Sequence, residues 1–291
     1  MKYISILFIW LFFMPLLSSC GADQEREVVT QVDFKQVLWF AERAHAAYKT
    51  EADIRKLLPK TVRVIPDVAD TEVSYFLEQD DTTKQQLIAV RGTANLENAR
   101  EDAEYVPSKN KHLGIYVHQG FDSDAVKIYN DVLPYLKKDY QTAVTGHSLG
   151  GAVAALLMMY LHEDGFPLVR SINFGQPKVT NSTGVKEYAF LPLTRVVDEN
   201  DVVPQLPPVT LLDSLHGIYE HLGDEVVLLK DEFYAYLARH QAQEKSVASF
   251  WKNLGQEDIP DHFMASYLKN IQNKISHAVQ VPYSERGKYL R

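Results

Sequence analysis

Thr145-Gly146-His147-Ser148-Leu149-Gly150-Gly151-Ala152 has the spacing Gly-x-Ser-x-Gly. Residues 141–145, Gln-Thr-Ala-Val-Thr, are short and β-prone, and residues 152–161 are apolar, Ala-rich and free of Gly and Pro. Strand, sharp turn and helix form the context in which this motif presents a serine nucleophile. Ser148 must then take a strained backbone conformation to lift its hydroxyl above a sheet. Gly146 and Gly150 lack the Cβ atoms that would collide where strand and helix pass closely. The helix starting after Ser148 points free N–H groups and its positive dipole end at any oxyanion formed there. The five letters also fit a Gly-rich turn that merely packs, so the surrounding chain must decide.

Outward from the motif, β-type runs fall at 62–65, 72–77, 86–90, 168–174, 193–197 and 225–229. Helical spacing appears at 32–49, 121–136, 233–239, 247–254 and 264–275, with Pro134 expected to kink or end the second of these. The three early runs have no helix between them, which predicts an antiparallel edge. Strand–helix alternation after residue 113 predicts βαβ units. The expected class is α/β, a mostly parallel central sheet flanked by helices. Nothing in the sequence splits residues 32–291, so one domain is expected there.

The 291 residues are 46% hydrophobic, enough for a full core, and the net charge is −8. That charge, without a basic cluster, argues against a nucleic-acid partner. At the N-terminus, Met1-Lys2 precedes an apolar run over 3–17 and then Ser18-Ser19-Cys20-Gly21. This reads as a secretory signal peptide, too short for a bilayer span of about 20 residues. Leu17-Ser18-Ser19-Cys20 resembles the lipobox of bacterial lipoproteins, where cleavage precedes a cysteine that becomes lipidated. Cys20 is the sole cysteine, which excludes an internal disulfide. The alternatives are an uncleaved anchor or a secreted protein with an incidental cysteine. The expectation is a signal peptide over 1–19, a polar tether over 20–31, and an exported lipoprotein held at the outer membrane or cell surface.

A serine hydroxyl needs a neighbouring base, usually a histidine oriented by a carboxylate. In α/β-hydrolase-type chains the order is Ser, Asp or Glu, His. Asp201 follows a β-run at the end where open α/β sheets place their sites; Asp198 competes locally, with a turn role as its ordinary reading. His216, His221, His240, His262 and His277 lie downstream, while His162 sits on the helix after the motif. His240 and His277 lie in polar surroundings and His216 has little context. His221 and His262 remain, and spacing does not choose between them. His112, His118 and His147 form no ligand pattern with carboxylates, so no metal or other cofactor is expected.

Further segments share one order: Ala46-Ala47-Tyr48, Ala89-Val90-Arg91-Gly92-Thr93, Val117-His118-Gln119-Gly120-Phe121, Asn173-Phe174-Gly175-Gln176-Pro177, Arg195 to Pro204, Tyr219-Glu220-His221-Leu222-Gly223, and Asp261 to Tyr267. With the serine motif they resemble the fungal-type, or class 3, lipase family. The resemblance implies an α/β-hydrolase fold and hydrolysis of lipid or other carboxylic esters through an acyl-enzyme. It implies Ser148 as nucleophile, Asp201 as acid and His262 as base, with His221 matching a recurring non-catalytic histidine. It implies an oxyanion hole from the backbone N–H groups of Leu149 and Thr93, with the Thr93 hydroxyl as an added donor, and Asp102 as lid support. The rival is an inactive surface lipoprotein using the fold as a binding module, against which the intact Ser, Asp and His positions argue.

One segment departs from the family. Residues 94–105, where the lid falls, carry Glu97, Arg100, Glu101, Asp102 and Glu104, with Ala99 where a Trp often stands. Leu96, Ala99, Ala103 and Val106 would form only a thin apolar stripe, so weak interfacial activation is expected. Triacylglycerol, phospholipid and short-chain ester stay open as substrates.

Overall fold

The computed structural model describes residues 31–66, 68, 74–93, 106–199, 201–207, 217–239 and 259–290. In chain order the first strands are β1 (Thr61–Ile65), β2 (Ser74–Asp80), β3 (Gln85–Arg91), β4 (Pro107–Lys109) and β5 (Tyr116–His118). Next come β6 (Gln141–His147), β7 (Leu168–Phe174), β8 (Thr180–Asn181) and β9 (Leu193–Asp198). The last are β10 (Tyr219–Glu220), β11 (Asp224–Leu228), β12 (Phe233–Leu237) and β13 (Val279–Gln280). The helices are α1 (Phe34–Ala46), α2 (Glu51–Leu57), α3 (Gln119–Val132), α4 (Leu149–Glu163), α5 (Ser182–Glu187) and α6 (Met264–Gln272).

Nine strands form one sheet in the order β1-β2-β3-β6-β7-β9-β11-β12-β13, and β10-β8-β5-β4 form a smaller one. The large sheet is parallel from β3 through β6, β7 and β9 to β11. Antiparallel pairing of β1, β2 and β3 provides the edge expected from the early runs. β6 is buried at every residue after Gln141, as a strand covered on both faces must be.

Helix α1 starts at Asp33, whose Oδ1 accepts from the N–H groups of Lys35 and Gln36 at 3.0 and 3.2 Å. It buries Phe34, Val37, Phe40, Ala41 and Ala44 on one face of the sheet, in a core shared with Phe76, Ala89, Phe174 and Tyr267. On the other face lies α4, buried from Gly150 through Leu161 between the sheet and α3. A helix enclosed on all sides is apolar all round. Helix α3 ends before Pro134, which sits in the 3-10 turn Leu133–Tyr135.

The run 233–239, expected as a helix, is strand β12, antiparallel to β11 with Leu228 opposite Tyr234. Its five residues Phe-Tyr-Ala-Tyr-Leu are aromatic-rich and suit a pleated surface. Asp231, at φ 51, turns the hairpin that makes this pairing. The expected helix at 247–254 lies outside the described residues.

Parallel strands bring their C-terminal ends to one pole. There the chain after β3, β6, β7 and β9 places Thr93, Ser148, Gly175 and Asp201. The 3-10 turn Ile259–His262 leads into α6, which packs against α1.

Candidate active site

Ser148 sits between β6 and α4 with φ 59 and ψ −131, a conformation costly for any residue but Gly. Its N–H donates to the Phe174 carbonyl at 2.9 Å, and its carbonyl accepts from Gly151 at 2.9 Å. A Cβ at Gly146 would strike the Gly150 carbonyl, and one at Gly150 would strike that of Val90. The crossing of strand and helix is therefore closed to side chains. Leu149 is the first helical residue, so its N–H belongs to the turn that has no intrahelical carbonyl to meet. Thr93 is buried just past β3, and a Cβ placed on Gly92 would lie 3.1 Å from that of Ser148. The loop after β3 thus abuts the serine.

Asp201 is 1% exposed and collects three donors. His262 Nδ1 stands 2.7 Å from its Oδ2, Tyr267 Oη donates to the same oxygen at 2.5 Å, and Val203 N–H donates to Oδ1 at 2.9 Å. Burial pushes the Asp201 carboxyl upward, but the positive charge available on His262 and these hydrogen bonds outweigh it and hold it below the ordinary range. An ionised carboxylate only accepts, so His262 Nδ1 carries a proton, and in the neutral ring Nε2 bears the lone pair. His262 Nε2 is buried with no hydrogen-bond partner among the described residues. An orphaned buried acceptor calls for a partner, and hydroxyl-to-imidazole bonds often tighten only when substrate binds.

Of the histidines that spacing left open, His262 meets Asp201 and His221 does not pair with it. His221 is buried near Arg195 and Lys178; burial first, then those two charges, hold its pKa well below the usual value. Asp198 is buried as well, its Oδ2 accepting from Asn270 Nδ2 at 3.2 Å and its N–H donating to Tyr267 Oη at 3.1 Å. Asp198 therefore braces Tyr267, which in turn grips Asp201. Tyr267 was not singled out by sequence reasoning, since a tyrosine five residues after a histidine carries no local signal. His277 is exposed. His216, His240, Asp102, the rest of the lid segment and Cys20 lie outside the described residues. Among the described residues no group of three or more His, Cys, Asp or Glu could hold a metal.

Residues 87–211 match the family described as Lipase (class 3). Over that segment the chain resembles class 3 lipases. The family match includes Thr93, Ser148, Leu149 and Asp201 and stops short of His262. A lipase of Rhizomucor miehei is 33% identical over 156 residues, covering 47% of this chain and 41% of that protein. The secreted mono- and diacylglycerol lipase 1 of Fusarium solani is 32% identical over 160 residues, covering 48% and 44%. The class 3 segment thus spans less than half the length of these curated relatives. The crystal structure of a lipase from Rhizopus microsporus var. chinensis superposes with a TM-score of 0.63 at 24% identity, covering 81% of this chain and 88% of that one. That likeness shows the fold, an α/β-hydrolase with a mostly parallel sheet between helices.

Proposed function

We propose that this chain is a serine carboxylic-ester hydrolase whose domain spans residues 32–291 and which cleaves acylglycerol or related lipid esters. The observation that carries the reading is the Asp201–His262 pair, with Nε2 unpartnered, at the pole where the strained Ser148 opens α4. Ser148 Oγ attacks the acyl carbonyl carbon while His262 Nε2 takes its proton, and Asp201 stabilises the imidazolium. The N–H groups of Leu149 and Thr93, with the Thr93 hydroxyl, receive the charge on the carbonyl oxygen. His262 returns the proton to the leaving alkoxide, and the acyl-enzyme forms. Water, deprotonated by His262, then releases the acid and restores the serine hydroxyl.

An acylglycerol substrate is supported by what the relatives are called. The test is a panel of esters of graded chain length, a diacylglycerol and phosphatidylcholine, given to wild type and Ser148→Ala. Wild type turns over at least one, and the variant keeps only the residual catalysis of about 10³–10⁴ over water typical of a triad knockout. A folded wild type that binds lipid without hydrolysing it would favour the binding-module alternative.

The Leu17-Ser18-Ser19-Cys20 segment further supports export with a lipid anchor on Cys20. A clickable fatty acid then labels wild type and spares Cys20→Ser; equal labelling would remove the anchor. Asp102 is assigned to lid support. The charged composition of residues 94–105, without the Trp often found there, supports appreciable activity on soluble esters.

A further inference from the structure

Tyr48 and His147 have no part in the chemistry above, yet they connect its two halves. His147 is 2% exposed, with its ring centroid 4.6 Å from that of His262. Its Nε2 lies 2.7 Å from the backbone carbonyl oxygen of His262, and its Nδ1 lies 2.7 Å from Tyr48 Oη. A carbonyl oxygen can only accept, so His147 Nε2 carries the hydrogen and donates. Burial, and the positive charge that His262 can take up, press the His147 pKa down to about 3. The ring is therefore neutral, Nδ1 bears a lone pair, and the Tyr48 hydroxyl donates to it. Tyr48 Oη in turn accepts from the Gly92 N–H at 3.3 Å. Each link has one direction: Gly92 N–H to Tyr48, Tyr48 O–H to His147, and His147 N–H to the His262 carbonyl.

We propose that Tyr48 and His147 are positioning residues, a hydrogen-bond relay that ties the loop bearing Thr93 to the turn bearing His262. The inference rests on the hydrolase reading above. The turn Ile259–His262 is a short 3-10 segment of four residues, a conformation whose hydrogen-bond geometry is poorer than that of an α-helix. The relay holds its backbone at His262, while Asp201 holds the side chain through Nδ1. Two anchors define where Nε2 points, and one anchor leaves the turn free to pivot. Tyr48 comes from the end of α1, where its N–H donates to the His45 carbonyl at 3.1 Å. The relay therefore refers the base both to the end of α1, through Tyr48, and to the strand that carries Ser148, through His147 at the end of β6.

The test compares wild type, His147→Phe, His147→Gln, Tyr48→Phe and Ser148→Ala as purified full-length protein on a soluble chromogenic ester. His147→Phe keeps a ring but loses the donor. It should lower kcat by on the order of 10²-fold with KM unchanged, the scale of an ångström-sized misplacement of a reacting group. His147→Gln, which keeps an N–H near the Nε2 position, should recover most of that loss. Tyr48→Phe should lower kcat less, and should add nothing when combined with His147→Phe, because the relay is already cut. Wild-type kcat in His147→Phe, or a His147→Gln as impaired as His147→Phe, would overturn the relay. Should His147→Phe not fold, Tyr48→Phe decides alone, since it removes one hydroxyl; an unchanged kcat there overturns the proposal. Full activity in Ser148→Ala would instead overturn the hydrolase reading beneath it.

Discussion

Ser148 holds φ at 59 although it carries a Cβ. A non-glycine residue in such a region costs of order 1–3 kcal/mol, which the surrounding fold must offset. Ser148→Gly removes the strain while adding chain entropy to the unfolded state. The expected net is a gain of about 1 kcal/mol in stability together with complete loss of hydrolysis. Ser148→Ala keeps the strain and should show no comparable gain, so paired denaturant melts of the two variants check the account. The serine was legible because its strain, its glycines and the apolar helix after it are local. Tyr267 was not legible, because its grip on Asp201 joins residues 66 apart.

Among the elements, the loop after β7 is set tightly against the Asp201–His262 pair. Gly175 has φ +56, and a Cβ there would lie 2.9 Å from both Asp201 Oδ2 and His262 Cε1. Gly175→Ala should therefore displace the Asp201–His262 pair. The expected result is a kcat lower by on the order of 10²-fold with a modest loss of Tm, read from kinetics and a melt on the same preparation. An alanine variant with wild-type kcat would show that the pair has room to spare. Element types were legible wherever periodicity ran long, as in α1 and α3, and α4 was legible as an unbroken apolar run. Phe233–Leu237 was not, because five aromatic and apolar residues fit helical spacing as well as a strand. The hairpin with β11, a tertiary partner, decided it. The choice of His262 over His221 had the same origin: Asp201 and His262 are 61 residues apart, and only the fold, or a family pattern, brings them together.

At the scale of the whole molecule, buried histidines set the response to acid. Burial is the largest cause holding His45, His118, His147 and His221 below the ordinary value of 6.5, with His118 at about 4 and His147 at about 3. Below that value the unfolded chain binds protons that these native side chains refuse, so their contribution to stability, complete above it, is lost as pH falls. For His118 the shift is worth about 3 kcal/mol. Glu199 and Glu220 run the other way. Burial raises both, Glu199 to about 7 despite Arg286 beside it, so acidification favours the native state through that window. Four groups against two leave a net loss, and carboxylates held low, Asp201 among them, add to it in stronger acid. Tm should fall steadily from pH 7 to pH 4, and a flat or rising Tm would show that these histidines are not kept neutral. The central claim is that Ser148 is a nucleophile activated by His262. Its most direct test is mass-spectrometric mapping of the adduct formed by a fluorophosphonate ester on the purified protein. The account predicts one adduct, on Ser148, forming rapidly in wild type and far more slowly in His262→Ala. No adduct on the folded wild type, or labelling of Ser148 at the same rate without His262, would contradict it.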